Sequence, residues 1–211
     1  GHGNTLNKYT PRKIPGISNA VSISAGTGFS AAIKDDGTVW TWGNNDRGQL
    51  GRTDTSTKTP GQVTGLSEIS KIACGENFII ALMDYDTIYS WGANTCGQLG
   101  DGTKADRITP AAVISSYSDI SADREHVLAI SGGKLYAWGQ NSVGQLGLND
   151  KIDRTTPTLV SSINGNVNSI RTGYNHSIAI LSDGTLYTWG EERDGQLGNG
   201  FYLTKRIPTK V

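Results

Sequence analysis

The sequence has few of the residues on which disulfide-bonded, metal-binding or catalytic sites are usually built. Its 211 residues include two cysteines, three histidines, six prolines and one methionine, and 19 Lys and Arg balance 19 Asp and Glu. Cys74 and Cys96 do not have the spacing of a metal site, so we expect no cofactor and favour two free thiols over a disulfide. Because no run of about eighteen apolar residues occurs, we expect no membrane span.

Glycine and aromatic residues are the prominent part of the composition. The chain has 28 glycines, 5 tryptophans and 8 tyrosines. Aromatic and β-branched residues favour strands, and glycine favours the tight turns that join them. The composition therefore predicts an all-β protein.

One block of ten residues occurs four times: Trp-Gly, four variable residues, then Gly-Gln-Leu-Gly. Its tryptophans are 49, 47 and 51 residues apart. A period near 50 indicates a repeat architecture, which we expect to form a single domain over 1–211. Residues 1–14 align with 100–113, so they resemble the end of a preceding repeat. The predicted repeats are 15–63, 64–113, 114–160 and 161–211.

Each repeat contains the pattern of a small antiparallel sheet. Two apolar stretches are followed by a turn and by a third strand that ends in Trp-Gly. The turns are Asp36-Gly37, Asp86-Thr87, Gly132-Gly133 and Asp183-Gly184, most of which suit two-residue hairpins. A fourth strand is expected to begin after the repeat proline, since proline cannot donate to a sheet ladder. Four strands in about 50 residues predict one blade of a β-propeller.

Two motifs carry a resemblance to a known family. The pattern Trp-Gly-x-Asn-x-x-Gly-Gln-Leu-Gly at 91–100 and 138–147, with Gly-x-x-His-x-x-Ala-Ile at 173–180, resembles the repeat of the regulator of chromosome condensation (RCC-type) family. The resemblance covers nearly the whole chain. It implies four-stranded blades that form part of a seven-bladed ring. An eight-bladed ring made by a dimer is the alternative.

The recurring tryptophans and glycines are interpreted as structural. Indole rings bury large apolar areas, and glycine allows close backbone approach. His126 and His176 occupy the position that Phe29 and Phe78 hold in other repeats, which indicates packing rather than proton transfer. With no catalytic or metal-binding pattern, we expect a protein that is not an enzyme. The structural set is Trp42, Gly43, Trp91, Gly92, Trp138, Gly139, Trp189 and Gly190.

The variable loops between Trp-Gly and Gly-Gln-Leu-Gly are the candidate partner-binding positions, because recognition concentrates in loops on rigid scaffolds. The residues predicted to bind a partner are Asn44, Asn45, Asp46, Arg47, Asn94, Thr95, Asn141, Ser142, Glu191, Glu192, Arg193 and Asp194.

Basic and acidic residues also occupy different positions within the repeat. The five segments that run from the last glycine to just past the repeat proline hold 12 of the 19 basic residues and 5 of the 19 acidic ones. Acidic residues recur instead in the hairpin turns, at Asp35, Asp36, Asp84, Asp86 and Asp183. This predicts either solubilising charge copied with each repeat or an oriented binding surface. The candidate basic face is Lys58, Lys104, Arg107, Lys151, Arg154, Lys205 and Arg206.

The leading functional hypothesis is a non-enzymatic scaffold that binds another protein, of unknown identity, through loops on one face of the disc. One alternative, implied by the family resemblance, is guanine-nucleotide exchange on a small GTPase. Another is an engineered or excised propeller fragment. Nucleic acid is not expected to be the partner. We also predict a homodimer that closes the ring, with residues near 1–30 of one copy against 190–211 of the other.

Overall fold

The protein is built from β-strands. A computed structural model describes residues 1–54, 56–83, 87–113, 116–200 and 202–211, and these contain sixteen strands. The strands form four antiparallel sheets of four strands each. The predicted all-β fold with four-stranded blades is confirmed, and no described segment forms a helix that could cross a bilayer.

Each sheet takes four successive strands of the chain. The first blade contains β1 (Ala20–Gly26), β2 (Phe29–Lys34), β3 (Val39–Gly43) and β4 (Gly61–Gln62). The second contains β5 (Ile69–Cys74), β6 (Phe78–Met83), β7 (Ile88–Gly92) and β8 (Arg107–Val113). The third contains β9 (Asp119–Asp123), β10 (His126–Ser131), β11 (Lys134–Gly139) and β12 (Arg154–Leu159). The fourth contains β13 (Val167–Thr172), β14 (His176–Leu181), β15 (Leu186–Gly190) and β16 (Lys205–Lys210).

The second and third strands of each blade form an antiparallel hairpin, as predicted. The two-residue turns expected at Asp36-Gly37 and Asp183-Gly184 are wrong, because hydrogen bonds from the Lys34 N–H to the Thr38 carbonyl and from the Leu181 N–H to the Thr185 carbonyl each enclose three residues, the last of them a glycine with positive φ.

In the third blade Ser131 pairs with Lys134, which leaves Gly132 and Gly133 as a two-residue turn. Both glycines have positive φ, at 54° and 74°, as such a turn requires. In the second blade Asp86, part of the predicted Asp86-Thr87 turn, lies outside the described residues.

The expected start of the fourth strand was wrong in three blades. Pro110, Pro157 and Pro208 lie inside β8, β12 and β16, whereas β4 begins after Pro60. The reason is a shift of register opposite each tryptophan. In the second blade, for example, the pairing passes from Ser90–Ala111 to Gly92–Arg107, so the residues in between make no regular ladder. Proline is tolerated there because no backbone N–H is needed.

The hydrophobic core lies between neighbouring blades. Each of three buried clusters combines the second and third strands of one blade with the first three strands of the next. In the first cluster, for example, Ile33 and Val39 pack with Ile72, Ile79 and Trp91. A blade therefore packs against its neighbours through two flanks. The leading flank faces the next blade, and the trailing flank faces the previous one. Each contact between two such flanks is called a joint.

The prediction that all four repeat tryptophans are largely buried is correct for three of them. Trp91, Trp138 and Trp189 have 0% exposure. Trp42 is only half-buried, because it lies on the trailing flank of the first blade, which none of the other described blades covers. Burial of this tryptophan therefore comes from the neighbouring blade as well as from its own.

The buried Trp138 of the third blade should contribute strongly to the free energy of unfolding. We expect Trp138→Ala to lower the free energy of unfolding by about 3–5 kcal/mol, the usual cost of removing a large core aromatic. Trp138→Phe should cost less, since it keeps a ring in the joint. Denaturant titration followed by circular dichroism measures both, with Ile152→Ala, at a 65% exposed position, as the control. Wild-type stability of Trp138→Ala would contradict a core located at the joints.

Candidate interaction surface

One face of the arc carries the loops that join the first strand to the second and the third strand to the fourth. We call it the loop face, and the hairpin turns lie on the opposite face. Loops of successive blades touch on the loop face. The guanidinium of Arg47 contacts the Asp106 carboxylate at 2.6 Å, and the ammonium of Lys104 lies 3.8 Å from Asp153. Neighbouring blades therefore present their loops as a continuous surface.

The glycine after each repeat tryptophan begins the loop at a close backbone approach. Gly139 has a φ of 92°, and a Cβ there would lie 2.3 Å from the Glu125 carbonyl oxygen. That carbonyl accepts a hydrogen bond from the Gln140 N–H at 2.8 Å. The other three blades have the same arrangement. This contact ties the third-to-fourth-strand loop to the first-to-second-strand loop of the same blade.

The second variable residue of each loop caps the loop from inside. The side-chain oxygen of Asn141 accepts the Leu146 N–H at 3.0 Å, and its amide donates to Asp150. Asn45, Asn94 and Glu192 accept the N–H of the equivalent leucine in their own loops. Such a bond stabilises the loop by satisfying a backbone group that would otherwise be buried without a partner.

This arrangement corrects part of the predicted binding set. Asn94 and Asn141 have 0% exposure and Glu192 has 6%, so a partner cannot reach their side chains. The exposed members of the set are Asn44, Asp46, Thr95, Ser142, Arg193 and Asp194, while Asn45, Arg47 and Glu191 are half-exposed. Fewer loop residues are therefore accessible to a partner than the sequence predicts.

The glutamine of Gly-Gln-Leu-Gly joins its own loop to the next blade. The Gln98 side-chain oxygen accepts the Cys96 N–H at 2.9 Å. The Gln98 backbone carbonyl accepts a hydrogen bond from the Trp138 indole, also at 2.9 Å. Gln49 and Gln145 accept the indoles of Trp91 and Trp189 in the same way. Each loop is therefore fixed from both ends, which leaves only its tip free to vary.

Several residues of the candidate basic face are neutralised by nearby carboxylates. Arg107 pairs with Asp101 at 2.8 Å, Arg154 with Asp150 at 2.5 Å, and Lys104 with Asp153. Lys58, Lys151 and Arg206 are exposed, and Lys205 is half-buried. Pairing of this kind favours solubilising, loop-ordering charge over a uniform basic surface.

The Arg47–Asp106 pair is a cross-blade contact with a clear electrostatic effect. The hydrogen bond from Arg47 holds the pKa of the Asp106 carboxyl below its usual value. The same bond raises the pKa of Arg47. Asp106 also accepts the backbone N–H of Asn94 at 2.8 Å. One carboxylate therefore orders a loop of its own blade and links it to the previous blade.

The acidic residues of the hairpin turns organise their own turns on the opposite face. Asp36 accepts the N–H and hydroxyl of Thr38, and these hydrogen bonds lower its pKa. Asp183 accepts the N–H of Thr185 at 2.9 Å. Asp35 is exposed, and Asp84 and Asp86 lie outside the described residues.

The histidines differ in burial although they share a repeat position. His126 is fully buried, and its Nε2 lies 3.0 Å from the Ser177 hydroxyl of the next blade, whereas His176 is half-buried. Burial lowers the pKa of His126 to about 3, with smaller contributions from His176 and Arg124. His126 is therefore neutral near pH 7 and belongs to the joint between the third and fourth blades.

The remaining candidate reactive groups do not assemble into a site. Cys74 and Cys96 are free thiols, the state that was favoured over a disulfide. Burial raises the pKa of Cys74 to about 12 and that of Cys96 to about 11. Within 1–54, 56–83, 87–113, 116–200 and 202–211, no group of three or more His, Cys, Asp or Glu could hold a metal ion.

The protein has four meandering sheets that are joined by hydrogen bonds between tryptophan and glutamine, and its loops lie on one face. These features define it as an arc of β-propeller blades. The model of the RCC1-like domain matches residues 1–211. The chain belongs to the RCC1-like domain family, which confirms the resemblance carried by its motifs.

Individual proteins show the same relationship. The chain is 33% identical over 222 residues to the ultraviolet-B receptor UVR8 of Arabidopsis thaliana, covering 100% of this chain and 50% of the receptor. Its fold matches Prp20p of Saccharomyces cerevisiae, with a TM-score of 0.85 and 27% identity over 96% of this chain and 53% of Prp20p. Human WBSCR16, at 22% identity and a TM-score of 0.81, shares the fold. The chain thus spans about half the length of UVR8 and of Prp20p.

Acid should weaken the joint that contains His126. Since the folded-state pKa is below the ordinary value of 6.5, an unfolded chain binds a proton that the folded chain does not. The His126 contribution to stability is complete above pH 6.5 and is lost as pH falls toward 3, with a slope of up to about 1.4 kcal/mol per pH unit. Urea titrations of the wild type and of His126→Gln, which keeps a polar group near Ser177, isolate this slope. The same dependence of unfolding free energy on pH in both proteins would contradict this contribution of His126.

Proposed function

We propose that this chain is a non-enzymatic scaffold that binds another protein through the tips of its loops on the loop face. The main support is that the buried and the exposed residues of each loop have different roles. Buried Asn, Glu and Gln side chains fix the loop backbone, while one or two residues beside them remain exposed and differ between blades. Rigid loops lose little conformational entropy on binding, which favours affinity, and variable tips provide specificity.

Relatives also support a binding role. A structure of Prp20p was described together with its binding to Gsp1p and histones, and yeast RCC1 (Prp20) has been crystallised bound to Kap60. Those partners are properties of Prp20p. For this chain they suggest proteins with which a binding surface can first be tested.

The loop tips of the two central blades provide the most direct test. We expect Thr95→Arg and Ser142→Arg together to weaken binding to Gsp1p or to histones by about tenfold or more, because long charged side chains would block close contact. Biolayer interferometry measures the affinity. Asn164→Arg adds the same side chain at an exposed position of a connector on the opposite face. Equal loss in that control, or no loss in the loop variant, would contradict the proposed surface.

Nucleotide exchange is the competing function. A scaffold should leave GDP release from Gsp1p at its intrinsic rate, whereas an exchange factor would accelerate it. Release of a fluorescent GDP analogue, measured with catalytic and stoichiometric amounts of this chain, distinguishes the two. Acceleration that rises with the concentration of the chain would establish the alternative.

We also propose that the scaffold assembles as a head-to-tail homodimer, because each of its two end flanks exposes an isoleucine at a position that is buried at the joints between blades. Ile23, on the trailing flank of the first blade, is 78% exposed, whereas the equivalent Ile72, Ile120 and Ile170 are 0–6% exposed. Ile180, on the leading flank of the fourth blade, is 40% exposed, against 1% for the equivalent Ile33. At the internal joints these two positions pack into one cluster.

Part of the trailing flank is covered by the chain itself. Gly1 lies against the Trp42 ring as Gly51 lies against Trp91, with a Cβ on Gly1 falling 3.1 Å from the Trp42 indole nitrogen. In the proposed dimer the equivalent segment 198–211 of the second copy would replace residues 1–14 at this place. The dimer therefore competes with an internal contact.

Molar mass in solution tests the dimer. The monomer has a mass of 22.4 kDa, so the dimer has twice that value. Light scattering after gel filtration should give the dimer mass for the wild type and the monomer mass for Ile23→Glu. Val21→Glu is the control, because this position is exposed in the first blade, and the equivalent Ser70, Ser118 and Asn168 are exposed in the others. A monomeric wild type at micromolar concentration would contradict the dimer.

A further inference from the structure

The inner ends of the blades carry their own set of loops on the loop face. The first strands of successive blades contact each other, β1 with β5, β5 with β9 and β9 with β13, so they form the inner edge of the arc. The loops that join first and second strands therefore converge there. At the first two joints a backbone hydrogen bond links these loops, from the Thr27 N–H to the Glu76 carbonyl at 3.0 Å and from the Glu76 N–H to the Arg124 carbonyl at 2.7 Å.

At the third joint a side chain makes this link instead. The Arg124 N–H donates to the neighbouring Asp123 carboxylate at 2.6 Å and not to the fourth blade. The Arg124 guanidinium donates to Asn175 at 2.7 Å and lies over the Tyr174 ring, 4.4 Å from its centre. Arg124 also has a φ of 39°, whereas the equivalent residues of the other three blades have no positive φ. A strained non-glycine residue held by its surroundings is a feature of functional sites.

The residue before Arg124 is a second departure from the repeat. Glycine holds this position in the other three blades, where a Cβ would lie 1.9–2.2 Å from the ring that begins the second strand. The third blade has the carboxylate of Asp123 there. Among the described residues, no Lys, Arg or His lies at ion-pairing distance from Asp123. Its negative charge is therefore available to a ligand.

A cavity of about 160 Å³ lies beside these residues. All four blades contribute to its lining, which includes Thr27, Glu76, Asp123, Arg124 and Tyr174. The Arg124 Nε is buried without a hydrogen-bond partner among the described residues, and the Glu76 carboxylate lies 3.9 Å from it. A buried N–H without an acceptor is rare in folded proteins. The charge of Glu76 is thus only partly used by Arg124.

The cavity contains more negative than positive charge. Two carboxylates, Glu76 and Asp123, accompany one guanidinium, which already contacts Tyr174 and Asn175. A cation complements this charge, whereas two carboxylates repel an anionic group. Tyr174 is 61% exposed, and an accessible aromatic ring adds a favourable contact to a cation.

We propose that this central cavity of the loop face binds an arginine or lysine side chain of the partner protein. The inference rests on the proposed scaffold function and specifies the chemistry of the partner at one position. Glu76 and Asp123 hold the cationic group, Tyr174 packs against it, and Arg124 positions the tyrosine ring. The three charged residues belong to the two central blades, so they are not part of the end flanks that the proposed dimer joins.

The test uses the full chain and a fluorescein-labelled Gly-Arg-Gly-Arg-Gly peptide, with fluorescence anisotropy as the readout. A matched peptide carries citrulline, which has nearly the shape of arginine without its charge. We expect saturable binding of the arginine peptide and binding at least about tenfold weaker for the citrulline peptide. Glu76→Gln with Asp123→Asn should also weaken binding of the arginine peptide by about tenfold or more, because amides keep the size of the side chains and remove their charge.

Further variants separate the contribution of the ring from that of general electrostatics. Tyr174→Leu should weaken binding by about threefold or more, whereas Tyr174→Phe, which keeps the ring, should not. The control for bulk charge is Asp35→Asn with Glu68→Gln, which removes the same two charges from exposed positions on the opposite face. This control should change the affinity by less than about twofold.

Several results would overturn the proposal: no binding of the arginine peptide, equal binding of the citrulline peptide, unchanged affinity in the Glu76 and Asp123 double variant, or an equal loss in the control. Tighter binding of a Gly-Glu-Gly-Glu-Gly peptide would also overturn it, since Arg124 would then be the ligand-binding group. Circular dichroism confirms that each variant is folded. Failure of the scaffold function would appear elsewhere, as accelerated GDP release from Gsp1p, because the peptide assay contains no GTPase.

Discussion

The hydrogen bond from a buried indole to the glutamine carbonyl of the preceding blade is the contact on which the rest of the structure depends. It occurs at all three joints, from Trp91, Trp138 and Trp189, at 3.0, 2.9 and 2.8 Å. The donor belongs to one blade and the acceptor to the loop of another. Burial of the ring and order in the loop therefore depend on each other, so stability is shared between nearest neighbours, as in other repeat proteins.

This joint also explains why a binding surface can vary without loss of the fold. The glutamine carbonyl, the capping Asn or Glu and the glycine after tryptophan fix the loop backbone from within. Apart from Arg47, which pairs with Asp106 of the next blade, the residues between these fixed points contribute little to the joint and can change from blade to blade. Exposed tips such as Thr95 and Ser142 are thus free to serve recognition, while their neighbours Asn94 and Asn141 are not.

Much of the architecture was predictable because glycine and tryptophan recur at fixed spacing. The four sheets and the hairpin at Gly132-Gly133 follow from local turn geometry and strand pattern. The exposure of Trp42 was not predictable from its repeat position, because the covering surface belongs to a different blade. A repeat motif identifies a residue that can pack into a joint, but it does not show whether a second blade covers that residue.

The binding surface was predicted less well than the fold, for a related reason. The variability of the loops predicts that all their residues are exposed, although Asn45, Asn94 and Asn141 share one position. A polar residue that recurs next to glycines indicates a buried cap, and this signal could have identified them.

Hydrogen exchange of the tryptophan indole N–H groups, followed by NMR, tests the central role of the joints most directly. In dilute, monomeric protein we expect three slowly exchanging indoles, those of Trp91, Trp138 and Trp189. We expect faster exchange for Trp42, which has no such acceptor within the described residues, and for Trp40, whose indole donates to the half-exposed Thr38 hydroxyl at 3.1 Å. Similar exchange rates for all five indoles would contradict the claim that the joints between blades hold this structure together.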